Sequence, residues 1–381
     1  MIRILPPWKG NRAEDIWALY YFLLYRTLPF QPEDYLPKDS QGVYYYPNGD
    51  RTRQKVYPTK PFKTFALSRE SKRILSAERL STPNTLEDLI MLVSPKLHRY
   101  LYKNNYVKRK NLIDLLTTQT DMDTIQIKKL NFDSKNKTLL KLLLIQVFNY
   151  DCFSKKRLFP KLIQLMGVEV CPYCNRNFTT TTRIRKGVYY RQNQVDHYRS
   201  KSEFPWFALT LPNLVPACGN CNLRKGDDSQ YVLYPYQEEF GKQYRFHTTP
   251  ISWAGYLMGQ QISPDEFEVK IEQNSRVGMV SDQEYENRVQ ASIDKFGLDV
   301  LYRESHNAYV CAIFEQRYIF NDSYLDSIID SFPSLFKNKE EVRQLLYMKQ
   351  YDKDMLGAAP LAKLTHDIDE EISRLCIDKT V

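Results

Sequence analysis

Four of the seven cysteines fall into two Cys-x-x-Cys pairs, and these pairs constrain the fold more than any other feature of the chain. The pairs are Cys171 with Cys174 and Cys218 with Cys221. Two residues between cysteines let both sulfurs turn towards one ion, and two such pairs complete a closed tetrahedral shell. The sequence therefore predicts one structural Zn²⁺ bound by four thiolates. The alternatives are two coincidental reduced pairs or a thioredoxin-like redox motif, which needs only one pair and follows a strand of a βαβ unit.

Length and composition exclude several classes of protein. A chain of 381 residues suggests two or three domains, and a hydrophobic fraction of 43% is sufficient for a core. It contains no uncharged apolar stretch of about 18 residues, the minimum for a membrane-spanning helix. The first residues, MIRILPPWKG, lack the apolar core of a secretion signal, so we expect a cytoplasmic protein. In that setting cysteine pairs indicate metal ligation rather than disulfides.

Apolar spacing and turn signals divide the chain into three regions. Residues 1–160 are predicted to be mainly helical, with a β-hairpin near residues 42–57 around the turn signal Asn48-Gly49. Residues 165–235 contain the cysteine pairs and the informative polar residues. Residues 236–381 return to helical spacing. The predicted fold class is α+β, with mostly helical flanking regions around a small zinc-stabilised finger.

Helices are predicted in both flanking regions from the spacing of their apolar residues, at residues 14–26, 85–94, 138–150, 283–298, 301–322 and 337–351. Residues 96–110 carry six basic residues and no acidic residue. This segment is interpreted either as a solvated helix face or as a contact for phosphate or a partner protein.

Two β-prone arms follow the first cysteine pair. They span residues 178–184 and 188–197, with Arg185-Lys186-Gly187 as the turn between them. Asp196 and His197 would then lie at the end of the second arm. A short helix is expected to begin at the second cysteine pair.

Polar residues between and beside the cysteine pairs suit metal-assisted hydrolysis of a phosphodiester. The Asp196 carboxylate is a hard oxygen ligand for Mg²⁺ or a similar ion, and the side-chain oxygen of Asn222 is a second. A metal there would stabilise charge developing on the phosphate and the leaving oxygen. A neutral His197 has an unperturbed pKa of about 6.5, so it is suited to deprotonate the attacking water. Asn213, in a Pro-Asn-Leu loop, is a candidate for orienting the imidazole.

Simpler interpretations exist for three of these residues. Asp196 could be a solvated carboxylate at a strand end. Asn222 could cap a helix, and Asn213 could be an ordinary turn residue. The order of all four polar residues relative to the cysteines favours a common site.

Residues 171–228 resemble an HNH endonuclease of the His-Me finger (ββα-metal) superfamily, in its zinc-bearing treble-clef form. The family pattern is a Cys-x-x-Cys knuckle, a β-hairpin ending in Asp-His, an Asn-Leu, and Cys-x-x-Cys-Asn with a Lys three residues on. Here the corresponding residues are Asp196-His197, Asn213-Leu214, and Asn222 with Lys225. The family usually has a His where this chain has Asn222, which makes it an H-N-N variant.

The resemblance implies a role for each matching residue. His197 would be the general base, and Asp196 and Asn222 would bind a catalytic Mg²⁺ or Mn²⁺. Asn213 would organise the site, and Lys225 would lie near the phosphate backbone. The implied activity is divalent-metal-dependent endonuclease cleavage of nucleic acid.

Residues 204–222 also resemble HNH proteins of bacterial anti-phage systems, including the nuclease partner of Septu-type ATPases. This resemblance implies a role in antiviral defence and an ATPase partner subunit as a regulator.

Local charge is consistent with a nucleic-acid partner. The chain has a net charge of +9, and residues 171–230 hold nine basic and four acidic residues. Arg199, Lys201 and Arg224 join Lys225 as candidates for phosphate contacts, which position a substrate without reading its bases. DNA is the expected substrate, and RNA is the alternative, because positive charge attracts both.

Two other functions also fit the sequence. One is a zinc-stabilised nucleic-acid-binding or adaptor module without cleavage, and the other is a nuclease subunit that stays silent until a partner releases it. A pure binding module has no need for a base between two metal-grade ligands, which favours an endonuclease. Since one finger cuts one strand, double-strand cleavage would indicate a homo-oligomer.

Overall fold

The described part of the chain mixes helices with small antiparallel sheets, which confirms the predicted α+β class. The computed structural model describes residues 1–4, 6–25, 27, 45–48, 52–55, 69–77, 79–84, 88, 91–92, 145, 148–227, 232–249, 255–256, 258–274, 282–303, 305–348 and 353–377. The basic segment 96–110 and most of the helices predicted at 85–94 and 138–150 lie outside these residues. Within these ranges no helix is both long enough and apolar enough to cross a membrane.

The N-terminal region begins with a 3-10 turn over Pro7–Lys9 and helix α1, Ala13–Tyr25. Helix α1 buries apolar residues around much of its circumference, as its sequence predicts. Strands β1, Tyr45–Asn48, and β2, Thr52–Lys55, pair antiparallel at the position of the predicted hairpin. Helix α2, Arg69–Ala77, follows.

Two short helices precede the first cysteine pair. Helix α3, Tyr150–Ser154, is capped by Asn149, whose side chain accepts a hydrogen bond from Cys152 N at 2.8 Å. Helix α4, Phe159–Met166, carries a proline in its first turn and ends at Gly167, which adopts the left-handed conformation at φ 66°. Its apolar face is buried against the core.

The strands between the cysteine pairs correct one prediction. Strands β3, Thr181–Arg185, and β4, Val188–Arg191, form the predicted hairpin, but its second arm ends at Arg191 rather than at His197. The chain turns at the buried Asn193, whose Nδ2 donates to Thr179 O at 2.6 Å and to Thr181 Oγ1 at 2.8 Å. This side chain holds the first arm and lets the following residues leave the hairpin.

Those following residues form strand β5, Gln194–His197, which pairs antiparallel with strand β6, Leu214–Ala217. In this register Asp196 is opposite Val215 and His197 is opposite Leu214. Helix α5, Gly219–Lys225, begins directly after β6. The ββα unit of the finger is therefore β5, β6 and α5, and the β3–β4 hairpin is an additional element.

The C-terminal region contains a two-stranded sheet that the helical prediction for residues 236–381 misses. Strands β7, Tyr244–Thr249, and β8, Glu268–Gln273, pair antiparallel, and alternate residues of β7 are buried. The helices that follow are α6 (Gln283–Phe296), α7 (Leu298–Arg303), α8 (Asn307–Ile319), α9 (Asp322–Ser331), α10 (Lys339–Tyr347) and α11 (Ala362–Ile377). Gly297, at φ 61°, ends α6, and the single helix predicted over 301–322 is interrupted between α7 and α8.

Two buried clusters organise the described residues. The larger joins α1, α3 and α4 to both cysteine pairs, β6 and α6, and the smaller packs β7 and β8 against α7, α8 and α11. Hydrogen bonds connect the finger to both flanks: Ile2 N donates to Pro172 O at 3.1 Å, and Tyr302 Oη donates to Cys174 O at 2.6 Å. The finger is thus packed into the flanking regions across the boundaries predicted near residues 165 and 235.

Candidate functional site

The four paired cysteines form a single buried cluster. The sulfurs of Cys171, Cys174, Cys218 and Cys221 all lie within 4.8 Å of one another. Cys174 Sγ is 4.0 Å from Cys218 Sγ, and Asn177 Nδ2 donates to Cys218 Sγ at 3.4 Å. Contacts with the neighbouring cysteine sulfurs lower the pKa of the Cys218 thiol, while burial raises that of Cys171. Four converging buried sulfurs fit a tetrahedral Zn²⁺, which would hold the two ends of the finger together.

The first cysteine pair lies on a tight turn. Asn175 N donates to Cys171 O at 2.8 Å, and Cys171 N donates to Asn177 O at 2.9 Å. Asn175 has φ 50°, a left-handed conformation that asparagine tolerates better than most residues. Its side chain connects to the C-terminal region, because Nδ2 donates to Leu356 O at 3.1 Å and Oδ1 accepts from Lys363 N at 3.0 Å.

Asp196 lies in a buried hydrogen-bond network on the face of β5 that packs against α5. Its Oδ1 accepts from Lys225 Nζ at 3.0 Å, and its Oδ2 accepts from Tyr173 Oη at 2.6 Å. Lys225 Nζ also donates to His197 O at 2.7 Å. Asp196 and Lys225 are 3% and 2% exposed, so this ion pair is shielded from solvent. Burial raises the pKa of the Asp196 carboxyl, and the Lys225 ammonium and the Tyr173 hydroxyl oppose that rise.

The sequence does not indicate this network. Tyr173 stands between the cysteines of the first pair, but its position alone does not indicate a bond to a carboxylate 23 residues away. Lys225 was expected near the phosphate backbone, and the structure instead buries it as the partner of Asp196. The only sequence signal was the coincidence of one lysine and one aspartate in a segment rich in other basic residues.

Asn222 lies on the same side of the finger as Asp196. Residues 194 and 196 project to the same face of β5 because side chains alternate along a strand. Asn222 Nδ2 donates to Gln194 Oε1 at 2.6 Å. The structure therefore brings Asp196 and Asn222 to one face, as the predicted ligand pair requires.

The Asp196 carboxylate already has a cationic partner in this arrangement. HNH domains are compatible with divalent metals as a class, and a carboxylate with an amide oxygen is a suitable donor set. Both oxygens of Asp196 already accept hydrogen bonds, however, and the Lys225 ammonium already balances its charge. Here a lysine ammonium occupies the place of the cation.

His197 projects to the opposite face of β5. Its Nε2 is 2.9 Å from Ala208 O, and because a carbonyl only accepts, Nε2 carries the proton and Nδ1 keeps a lone pair. Its ring meets Tyr150 edge-on with centroids 4.3 Å apart. Burial lowers the pKa of His197 to about 3, so the imidazole is neutral at physiological pH. A neutral imidazole with a free lone pair on Nδ1 has the protonation state of a general base.

Asn213 connects the two sides of the long loop between β5 and β6. Its Oδ1 accepts from Arg199 N at 2.7 Å, and its Nδ2 donates to Arg199 O and to Phe207 O, each at 3.0 Å. It is fully buried. Since Phe207 precedes Ala208 and Arg199 lies two residues after His197, Asn213 holds the carbonyl that orients the imidazole. The orienting role of Asn213 stays a prediction, and its bond to Phe207 O is the contact through which it would act.

The four basic candidates for phosphate contacts differ in exposure. Lys225 and Arg199 are buried, and the Arg199 guanidinium lies 4.9 Å from the centroid of the Tyr198 ring. The side chain of Lys201 is 46% exposed, and its Nζ lies 5.2 Å from the centroid of the Tyr150 ring. Arg224 is exposed and lies against Gly297 at the end of α6. Lys201 and Arg224 are therefore the two that reach solvent.

Comparison with known proteins agrees with the site. Residues 171–228, less than a sixth of the chain, match the family model for HNH endonuclease. No curated protein and no solved structure matches the chain. The matched segment contains the cysteine cluster, the ββα unit and its polar residues. Residues 171–228 are therefore similar to HNH endonuclease domains.

Proposed function

We propose that this protein is an endonuclease that hydrolyses phosphodiester bonds of DNA, with His197 as the general base. The observation that carries the proposal is the hydrogen bond between His197 Nε2 and Ala208 O within an HNH domain. This bond selects the tautomer with an unprotonated Nδ1. Burial keeps the imidazole neutral, so the base is available without a prior loss of a proton.

The residues of the chain divide the chemical work between them. His197 Nδ1 accepts a proton from the attacking water, whose oxygen bonds to phosphorus as the bond to the leaving oxygen breaks and that oxygen takes a proton from solvent. The bond from Nε2 to Ala208 O opposes the burial that disfavours the imidazolium. Asn213 keeps that carbonyl in place through its bond to Phe207 O. Lys201, near the Tyr150 ring that also contacts His197, supplies positive charge for the substrate phosphate. Zn²⁺ at the cysteine cluster, when bound, has a structural role.

Whether a catalytic Mg²⁺ or Mn²⁺ binds depends on the buried pair of Asp196 and Lys225. Asp196 and Asn222 are the oxygen donors that the resemblance implies, and an ion at Asp196 would compete with the Lys225 ammonium for the carboxylate. Metal dependence is therefore a property to be measured for this chain.

A plasmid assay tests the proposal directly. Wild-type protein and His197→Ala are incubated with supercoiled plasmid in Mg²⁺, in Mn²⁺ and in EDTA. We expect His197→Ala to lower the cleavage rate by about 10²–10⁴-fold, the usual contribution of general-base catalysis. His247→Gln, a histidine on β7 outside the HNH domain, serves as the matched control and should cut like wild type. Equal rates for His197→Ala and His247→Gln would refute the assignment of the base.

A binding or adaptor module without cleavage is the second candidate. The buried pair of Asp196 and Lys225 favours it, because the lysine ammonium balances the charge of the carboxylate without an ion. In that case the wild-type protein binds DNA but leaves plasmid intact in Mg²⁺ and in Mn²⁺.

The defence role and the ATPase partner are proposals that depend on the resemblance of residues 204–222. They predict that the chain alone cuts slowly and that co-expression with its ATPase accelerates cutting. Cutting at full rate without any partner would remove the reason for a regulatory subunit.

A further inference from the structure

Positive charge is concentrated in the residues that lead into the ββα unit. Residues 148–195 contain nine basic and two acidic residues, whereas the whole chain has a net charge of +9. No acidic residue occurs between Glu169 and Asp196. This segment includes α3, α4 and the β3–β4 hairpin, so its charge lies beside the finger rather than within the site of Asp196.

The β3–β4 hairpin presents this charge to solvent together with apolar groups. Arg185 and Lys186 are exposed at the turn, and neither forms an ion pair with a described residue. A register shift lies between Arg183 and Arg185, and it places Arg185 opposite Val188. Val188 and Tyr190 share a face of β4, so Arg185 lies on the same face as Tyr190, which is 59% exposed.

Basic residues of the preceding helices extend the same surface. The Arg157 guanidinium carbon lies 3.4 Å from the position of a Cβ built on Gly187, so this side chain covers the hairpin turn. The exposed Lys155 is two residues away. The surface therefore continues from the turn of the hairpin to the loop between α3 and α4.

A chain of ring contacts joins this surface to His197. The Arg191 guanidinium lies 5.6 Å from the centroid of the Phe159 ring, and Phe159 meets Tyr150 with ring centroids 6.0 Å apart. Tyr150 in turn contacts His197 and Lys201. The base of the hairpin is thus connected to the proposed general base through two aromatic rings.

We propose that the β3–β4 hairpin, with Arg157, binds the backbone of double-stranded DNA on one side of the cleavage site. The proposal rests on the proposed function, because it assigns a substrate surface to the same site. Val188 to Arg191 spans about 10 Å at roughly 3.3 Å per residue. Duplex DNA carries about one charge per 1.7 Å of its axis with both strands counted, so a stretch of this length contains about three phosphates on each strand. Tyr190 supplies an amphipathic ring for sugar contacts on the same face.

The acidic residues nearest to this surface do not neutralise it. Asp151 pairs with Lys201 at 3.6 Å, and both side chains are exposed, so the pair is weak. Glu169 lies at the base of the hairpin, where its carbonyl accepts from Thr179 N. Arg185, Lys186 and Arg157 face no acidic side chain within the described residues.

Binding is measured on the full chain by fluorescence anisotropy with a labelled 20-base-pair DNA duplex, in EDTA and across 50–300 mM NaCl. We expect Arg185→Gln/Lys186→Gln to weaken binding roughly tenfold or more at 0.1 M salt. The slope of log K against log salt should fall by about two, one unit per lost phosphate contact. Lys242→Gln/Lys270→Gln is the matched control, since it removes two exposed charges from the β7–β8 region and should change affinity less than twofold.

Each outcome has a defined meaning. Equal affinity and equal salt slope for the two double variants would overturn the assignment of the hairpin surface to DNA binding. A wild-type protein that binds no duplex would overturn it as well. Binding of single-stranded RNA or an acidic protein in preference to the duplex would overturn the assignment of the occupant. If wild type cuts plasmid and the hairpin variant binds DNA normally, only the DNA-binding role of the hairpin is refuted, and the nuclease proposal stands. Hairpin-dependent binding without any cleavage would instead refute the nuclease proposal.

Discussion

At the scale of single residues, the central feature is the buried ion pair of Asp196 and Lys225. Removing two charges from water is costly, and the pair is tolerated because each charge has further hydrogen-bond partners. Tyr173 donates to the carboxylate, and the ammonium donates to His197 O. The pair thereby fixes the backbone of the residue that carries the proposed base. It has a structural role whether or not an ion ever replaces the lysine.

The pair predicts an asymmetric effect on stability. Lys225→Met leaves a buried carboxylate without its counter-charge and should lower the free energy of unfolding by about 3–5 kcal/mol. The double variant Asp196→Asn/Lys225→Met should recover part of that loss, since no buried charge remains. Lys201→Met, the same change on an exposed lysine, should cost less than about 0.5 kcal/mol. Urea unfolding of the four proteins checks this, and equal stability of Lys225→Met and Lys201→Met would contradict it.

At the scale of elements, the finger depends on residues that are distant in sequence. Strands β5 and β6 are only four residues each, and helix α5 has seven, so none of them is stable alone. The cysteine cluster connects the turn before β3 to the start of α5. Asn213 lies at the end of the loop between β5 and β6. Its side chain binds Arg199 near the start of that loop and Phe207 in its middle.

The cluster predicts that one cysteine controls metal content. Cys221→Ser should reduce bound zinc from about one ion per chain to a small fraction, because three thiolates no longer close the shell. Cys152→Ser, an exposed cysteine outside the cluster, is the matched control and should retain zinc. Elemental analysis of purified protein measures both. Unchanged zinc in Cys221→Ser would show that the four sulfurs do not share an ion.

At the scale of the whole molecule, helix α11 connects the C-terminal sheet to the finger. Phe246 N donates to Asp367 Oδ2 at 2.9 Å, and Thr248 N and Oγ1 both donate to Glu371, at distances of 3.2–3.3 Å. Lys363 at the start of the same helix contacts Asn175 of the cysteine turn. One helix therefore holds β7 at one end and the first cysteine pair at the other.

This connection predicts a pH dependence of stability. Burial raises the pKa of Glu371 to about 7 from an ordinary value near 4.5, and His247, Thr248 and Arg245 oppose the rise. A raised pKa means that the folded state binds this proton more tightly, so the stabilisation is present at low pH and is lost as pH rises through 7. From pH 5 to pH 8 wild type should lose about 2 kcal/mol relative to Glu371→Gln, whose amide does not titrate. Urea unfolding of both proteins at the two pH values tests this, and a constant difference between them would refute it.

The sequence predicts which residues form the site better than it predicts which side chains those residues contact. The two cysteine pairs indicate a cluster because their spacing is itself the ligand geometry, and the order of Asp196, His197 and Asn213 indicates the finger. Burial of Lys225 could not be inferred, because it results from packing between β5 and α5 that no local pattern encodes. The break between β4 and β5 was missed for a similar reason, since an uninterrupted β-prone run conceals the turn at Asn193.

The flanking regions show the same limit. Helix α6 follows from its apolar spacing and from Gly297 at its end, which are local signals. The β7–β8 sheet was missed because the pairing of two six-residue strands depends on a connection of 18 residues and on the burial of β7 under α11. The local spacing of apolar residues contains no information about that connection or about the burial of β7.

The anchoring of the cysteine turn has a consequence for any attempt to move the finger into another protein. Asn175 bonds through its side chain to Leu356 and Lys363, and Tyr302 bonds to Cys174 O, so the knuckle depends on residues more than 120 positions downstream. An excised segment of residues 165–235 would leave these backbone groups to water and expose the aromatic face that Tyr173 shares with Phe296. The finger therefore needs the C-terminal helices to keep its fold, and a fusion that carries residues 165–235 alone should lose zinc and unfold.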